Sequence, residues 1–260
     1  MTDRLPAVRD LGKVTGKYVQ SMGWRSVNNH VNISLVNKYV YFEVPKAGCG
    51  TMKSTLGGME AARFNESLVE LVQDNPHQRK NATPFVKPYQ LPNDEIEEIL
   101  TSRKFTRFAV VREPASRLLS GWLEKINQGL PQADPIFEIL KEQGRAPLAP
   151  KDISFADFLD VVCALPSRQQ DPHWRRQSDH IGLEFIKFSE LIHLEDLENS
   201  WDLLGKLTGA PGLKEDFFCK KATHAGSHMN EHYTPELLAR VASSYAKDYE
   251  AFGYAVPKLG

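Results

Sequence analysis

Apolar positions along the chain follow two alternating rhythms. Tyr39–Val44 is almost wholly aromatic or β-branched, the make-up of a strand buried on both faces, and Phe105–Val111 repeats it. Leu183–Phe188 reads as a third strand and Val31–Val36 as a short early one. Between them, apolar residues recur at helical spacing. Ile96, Ile99 and Leu100 share one face behind Asn93, with Asp94, Glu95 and Glu97 in the first turn. Leu118, Leu119, Trp122, Leu123 and Ile126 form a second face behind Pro114. Ser154 caps a helix over Phe155–Leu165, and Thr234-Pro235 opens a last one with Leu238, Val241, Tyr245, Tyr249 and Phe252 on one side. This alternation predicts an α/β fold, with a central, mainly parallel sheet flanked by helices in three layers.

Where the rhythm fails, loops are expected. Residues 1–38 are polar and weakly patterned and read as an irregular N-terminal arm. Gly57-Gly58 interrupts a helix that begins near Thr51, and residues 74–92 are proline-rich. Residues 127–151 combine Pro, Gly and Gln, and a stretch that long suits a segment covering a substrate. No repeat and no linker divides the chain, so residues 1–260 read as a single domain.

Composition adds exclusions. A formal charge of -1 on 260 residues gives no global pull towards nucleic acid or anionic lipid. Cys49, Cys163 and Cys219 are odd in number and far apart, without disulfide or zinc spacing. Met1–Asp10 has no apolar signal core, and no run approaches the ~20 apolar residues of a membrane span. A cytoplasmic protein without a membrane span is expected. Oligomeric state has no sequence signature.

Chemistry concentrates at strand ends. After Tyr39–Val44 comes Pro45-Lys46-Ala47-Gly48-Cys49-Gly50-Thr51-Met52-Lys53. Strand, glycine-bearing turn and helix form a phosphate cradle from converging amides and a helix N-terminus. Lys53-Ser54 stands at the Walker distance from Gly48, but Met52 replaces the Walker glycine. After Phe105–Val111 comes Arg112-Glu113-Pro114-Ala115-Ser116-Arg117-Leu118-Leu119-Ser120, where an arginine fork and helix hydroxyls suit a second phosphate. A loop rich in polar and aromatic side chains, Asp171-Pro172-His173-Trp174-Arg175-Arg176-Gln177, follows, and Thr223-His224-Ala225-Gly226-Ser227-His228 precedes the last helix. His224 and His228 are spaced like helical metal ligands, but Gly226 argues against a helix and no metal is expected.

Pro-Lys-x-Gly-x-x-x-x-Lys resembles the 5′-phosphosulfate loop of sulfotransferases, which use 3′-phosphoadenosine 5′-phosphosulfate (PAPS). Arg-Glu-Pro-x-x-Arg-x-x-Ser resembles their 3′-phosphate motif. Asp-x-His-Trp-x-x-Gln resembles a segment of the Golgi-type carbohydrate sulfotransferases, the class of the chondroitin and dermatan 4-O enzymes, with Arg176 where that pattern has proline. The resemblance runs from about Tyr39 to Tyr254 and implies a P-loop-like fold and transfer of a sulfuryl group to a hydroxyl acceptor, a sugar by preference. It implies that Lys46, Ala47, Gly48, Cys49, Gly50, Thr51, Met52 and Lys53 hold the 5′-phosphosulfate, with Lys46 also acting on the leaving oxygen. Arg112, Ser120 and Ser227 would hold the 3′-phosphate. For the base, His173 comes first, with Glu60 and Glu66 as rivals and His77 weaker. No metal is required, because lysine and arginine supply the positive charge. Two other readings stay open: an ATP-dependent P-loop kinase, which magnesium-dependent ATP binding would favour, and a non-catalytic nucleotide-binding relative, which donor binding without turnover would favour.

Overall fold

A computed structural model describes residues 10–77, 83–220 and 229–259. The chain groups into two compact units, Met1–Val111 with Asp179–Ala222, and Arg112–Ser178 with Thr223–Gly260.

The first unit holds the sheet. Its strands are β1 (Val31–Ser34), β2 (Tyr39–Phe42), β3 (Thr106–Val111) and β4 (Glu190–His193), in that spatial order. β1 and β2 form an antiparallel hairpin, while β2–β3 and β3–β4 are parallel, with Tyr41 opposite Phe108 and Ala109 opposite Leu191. The helices are α1 (Lys13–Met22), α2 (Trp24–His30), α3 (Cys49–Ala62), α4 (Leu68–Asp74), α5 (Asn93–Thr101) and the helix Trp201–Thr208. Alternate strand residues serve opposite faces. Tyr39, Tyr41, Phe108 and Val110 pack with Met52 and Leu56 of α3 and with Trp201 and Leu204. From the other face, Phe42 meets Tyr18 of α1, and the Arg107 guanidinium donates to the Ile99 carbonyl of α5. Helices on both faces of a mostly parallel sheet give the expected α/β class.

Three local expectations are corrected. The described part of the N-terminal arm is not irregular: it forms α1 and α2 ahead of the expected strand, β1. Val14 and Thr15 donate their N–H groups to the Glu97 carboxylate of α5 at 2.9 and 2.8 Å, so the first turn of α1 is satisfied from 82 and 83 residues away. α3 runs unbroken through Gly57-Gly58. A Cβ at Gly57 would lie 2.7 Å from Val72 Cγ1, so this glycine admits α4 instead of breaking the helix. Leu183–Phe188 is not a strand. Gly182, at φ +69°, turns the chain, and Phe185 and Ile186 donate back to its carbonyl. Pairing with β3 resumes only at Glu190, after Arg107 Nε has taken the Lys187 carbonyl.

The second unit is helical. α6 (Pro114–Gly121) continues through a π-helical turn, Trp122–Ile126. It packs with the helices Asp134–Glu142, Phe155–Ala164 and Pro235–Ser244 around Leu118, Leu119, Phe158 and Val241. Ile136 and Leu140 anchor the 127–151 stretch in this core. The last helix is two, Pro235–Ser244 and Ala246–Phe252, broken at Tyr245.

Candidate active site

In the first unit, β2 delivers the chain into the lysine–glycine loop. Lys46 is held left-handed at φ +70° and Gly48 at φ +71°. The conformation costs a non-glycine residue about 1–3 kcal/mol, the kind of strain found at functional sites. Gly48 has no alternative, since a Cβ there would lie 2.7 Å from Leu194 Cδ1. Lys46 is buried, with 9% of its surface exposed. Ala47 closes the turn by donating to the Val44 carbonyl at 3.2 Å. α3 starts at Cys49, two residues earlier than the sequence suggests, so Cys49, Gly50 and Thr51 all lie in its first turn. Met52 donates its N–H to the Gly48 carbonyl and buries its side chain in the core. Burial pushes the Cys49 thiol up to about 11, with Glu43 reinforcing the shift, so this cysteine stays protonated at neutral pH.

Lys53 lies one turn along, its Nζ 3.2 Å from Glu43 Oε2. His77 Nδ1 stands 3.6 Å from the other Glu43 oxygen. Burial alone would raise the Glu43 carboxyl, but Lys53, then His30, His77 and Lys87, outweigh it and hold it below the usual carboxylate range.

In the second unit, the Gln177 carboxamide brackets Arg112, accepting from its N–H at 2.9 Å and donating to its carbonyl at 2.7 Å. The Arg112 guanidinium donates to Ser116 Oγ at 2.9 Å. Glu113 caps α6 by accepting from the Ala115 and Ser116 amides, and Tyr249 steadies it with a 2.6 Å hydrogen bond. Ser120 is 2% exposed, and its hydroxyl has no hydrogen-bond partner among the described residues, which is uncommon for a buried hydroxyl.

The Asp171–Gln177 loop belongs to the same unit. Arg117 donates to the Pro172 and Arg175 carbonyls, and Tyr245 donates to that of Trp174. Trp174 packs edge-on to Phe158 in the core. His173 stays partly exposed, with Nδ1 2.6 Å from Asp171 Oδ1. Burial acts to raise the Asp171 carboxyl, but the hydrogen bonds and charge of His173 hold it below its ordinary range. Arg176, in the place of the pattern's proline, donates to the Ser244 carbonyl at 2.5 Å and so ties the loop to the end of Pro235–Ser244.

The sequence profile of the Sulfotransferase family matches residues 29–255, through both units. The chain belongs to that family. It is 22% identical to carbohydrate sulfotransferase 14 of Danio rerio, over 90% of this chain and 64% of the relative. It is 24% identical to carbohydrate sulfotransferase 9 of Homo sapiens, over 86% and 52%, and 22% identical to carbohydrate sulfotransferase 11 of Rattus norvegicus, over 88% and 68%. The chain thus spans roughly half to two thirds of the length of these curated relatives. No solved structure matches it significantly. No helix among the described residues is long and apolar enough to cross a membrane.

The rival candidate bases sit differently from His173. Glu60 is buried, accepting from Asn37 Nδ2 at 3.0 Å and Arg63 Nη1 at 3.3 Å. Glu66 lies in an exposed turn. His77 is 56% exposed in its side chain and shares Glu43 with Lys53. Ser227, His224 and His228 fall outside the described residues. Sequence reasoning missed Glu43, and it named Arg117 and Gln177 only as motif positions, without a role. Glu43 had a signal, as the one charged residue in the Tyr39–Val44 run.

Proposed function

We propose that the chain transfers a sulfuryl group from PAPS to a hydroxyl of a carbohydrate acceptor, the two units working as one sulfotransferase domain. The observation that carries this is Ser120. Its hydroxyl is buried without a partner among the described residues, on the helix whose first-turn Ser116 already holds the Arg112 guanidinium. A phosphate would supply the acceptor that this hydroxyl lacks. The carbohydrate acceptor follows from the relatives, which are carbohydrate sulfotransferases. That one nucleotide takes both phosphate motifs is what the resemblance to sulfotransferases implies.

PAPS, when bound, supplies a sulfuryl group already activated by its phosphate leaving group. Lys46 and the amides of Gly48, Cys49, Gly50 and Thr51 bind the 5′ end, with Lys53 beside them. Ala47 and Met52 support that loop through the turn and the core. Arg112, Ser120 and Ser227 bind the 3′-phosphate. The acceptor oxygen bonds to sulfur as the bridging S–O bond breaks, and the 5′-phosphate leaves with the bonding pair. His173 takes the acceptor's proton at Nε2, its Nδ1 being turned to Asp171. Lys46 neutralises the charge that builds on the leaving oxygen. Glu60, already holding two partners, acts as a structural carboxylate.

Calorimetric titration with adenosine 3′,5′-bisphosphate, ADP and ATP–magnesium tests this reading. The bisphosphate binds without metal and more tightly than either control, and Arg112→Ala abolishes the preference. Lys46→Ala lowers turnover by about 10²–10³. Preference for ATP–magnesium would make the chain a kinase, and binding of none would reduce the cradle to a turn.

A further inference from the structure

Beside the lysine–glycine loop, the first unit encloses a polar pocket of about 110 Å³ whose lining includes Asn28, Asn29, Glu43, Lys53, His77 and Tyr89. Part of its wall is the Glu43–Lys53–His77 cluster. The Asn28 side-chain oxygen accepts the Tyr89 N–H at 2.9 Å, so its NH₂ group is turned to other partners. The Asn29 carboxamide makes no hydrogen bond among the described residues, and the Tyr89 ring is 59% exposed.

This lining selects a chemistry. Apart from the tyrosine ring it offers the Glu43 carboxylate, two carboxamides, the Thr83 hydroxyl, the ammonium groups of Lys53 and Lys87 and the imidazoles of His30 and His77, which together both donate and accept. A ligand with several adjacent hydroxyls can use both kinds of group, and its C–H face can rest on Tyr89. An anion is a poorer guest. Glu43 would repel it, and Lys87 donates to the Val31 carbonyl and Asn32 Oδ1. The volume admits several water molecules, and so the edge of one sugar ring, but not a chain of them.

The geometry points to this pocket as the acceptor subsite, binding the uncharged, hydroxyl-bearing edge of one sugar ring next to Lys53 of the phosphate loop. The inference rests on the sulfotransferase reading and adds the place and chemistry of acceptor recognition. Tyr89 forms the lip and Asn29 orients the ring hydroxyls.

The test titrates unsulfated chondroitin, dermatan, heparosan and N-acetyllactosamine oligosaccharides into protein saturated with adenosine 3′,5′-bisphosphate. Wild type, Asn29→Ala and Tyr89→Ala are compared, with melting temperatures to verify folding. At least one glycan binds wild type, and each substitution weakens it about tenfold, while bisphosphate affinity stays unchanged. If no glycan binds, or binding ignores both substitutions, the pocket is not the acceptor subsite. Failure of wild type to bind the bisphosphate would instead overturn the donor reading beneath it.

Discussion

Ser120 separates a binding role from a structural one at the level of a single atom. An ordinary buried hydroxyl holds a partner, and removing it leaves that partner unsatisfied, at a cost of about 1–3 kcal/mol. Ser120 has no partner to strand among the described residues. Ser120→Ala should therefore leave the melting temperature of the ligand-free protein unchanged or slightly raised. The same substitution should weaken adenosine 3′,5′-bisphosphate, because a hydrogen bond to a charged group is worth about 1.5–3 kcal/mol, or about 10- to 150-fold in affinity. Thermal melts and calorimetry on one preparation decide it. A less stable protein with unchanged affinity would mean that the hydroxyl serves the fold. Glu43 has the opposite character. One of its oxygens faces Lys53 and the other His77, so it acts by fixing both side chains.

α3 shows how one helix serves the sheet, the loop and a neighbour together. Its first turn ends the phosphate cradle, Met52 and Leu56 fill the core, and Gly57 lets α4 approach. Gly57→Ala would gain about 1 kcal/mol from helix propensity alone. The new methyl, however, would meet the stiff, buried Val72 side chain at 2.7 Å, and overpacking of that kind costs about 1–3 kcal/mol. Chemical denaturation should show a net loss of stability. A net gain would mean that α4 is loosely held and the glycine has no packing role. The sequence revealed β2, β3, α5 and α6 because apolar period, caps and turn residues are local signals. It hid what depends on distant partners. α1 has few apolar positions and takes its cap from Glu97, and a glycine pair that admits α4 looks the same in sequence as one that breaks a helix. Leu183–Phe188 has a strand's composition, but Gly182 and Arg107 claim its backbone for a turn. At the candidate site, the lysine, arginine and histidine were legible by residue type. The carboxylates and amides that hold them, Glu43 and Gln177, were not, since nothing local reveals what a side chain will touch.

At the scale of the whole molecule, the two phosphate motifs lie in different compact units, Lys46 and Lys53 in one, Arg112 and Ser120 in the other. The proposed donor has phosphate groups at both ends of its ribose, so a single ligand would report on both units. A ligand that binds only the folded protein stabilises it by about 2.7 kcal/mol at a hundred times its Kd. For a chain of this size that raises the melting temperature by about 5–10 °C. Adenosine 3′,5′-bisphosphate should produce such a shift in one cooperative transition. Adenosine 5′-phosphate, lacking the 3′ group, should produce a smaller one at equal concentration. Arg112→Ala should remove the difference between the two nucleotides, whereas Lys46→Ala should weaken both. Differential scanning calorimetry on the three proteins with each nucleotide reads all of this directly. If the bisphosphate split the melt into two transitions and moved only one, the motifs would serve separate ligands. Equal shifts from both nucleotides in the unmodified protein would mean that Arg112 and Ser120 bind no 3′-phosphate, and the donor would have to be sought among nucleotides phosphorylated at the 5′ position alone.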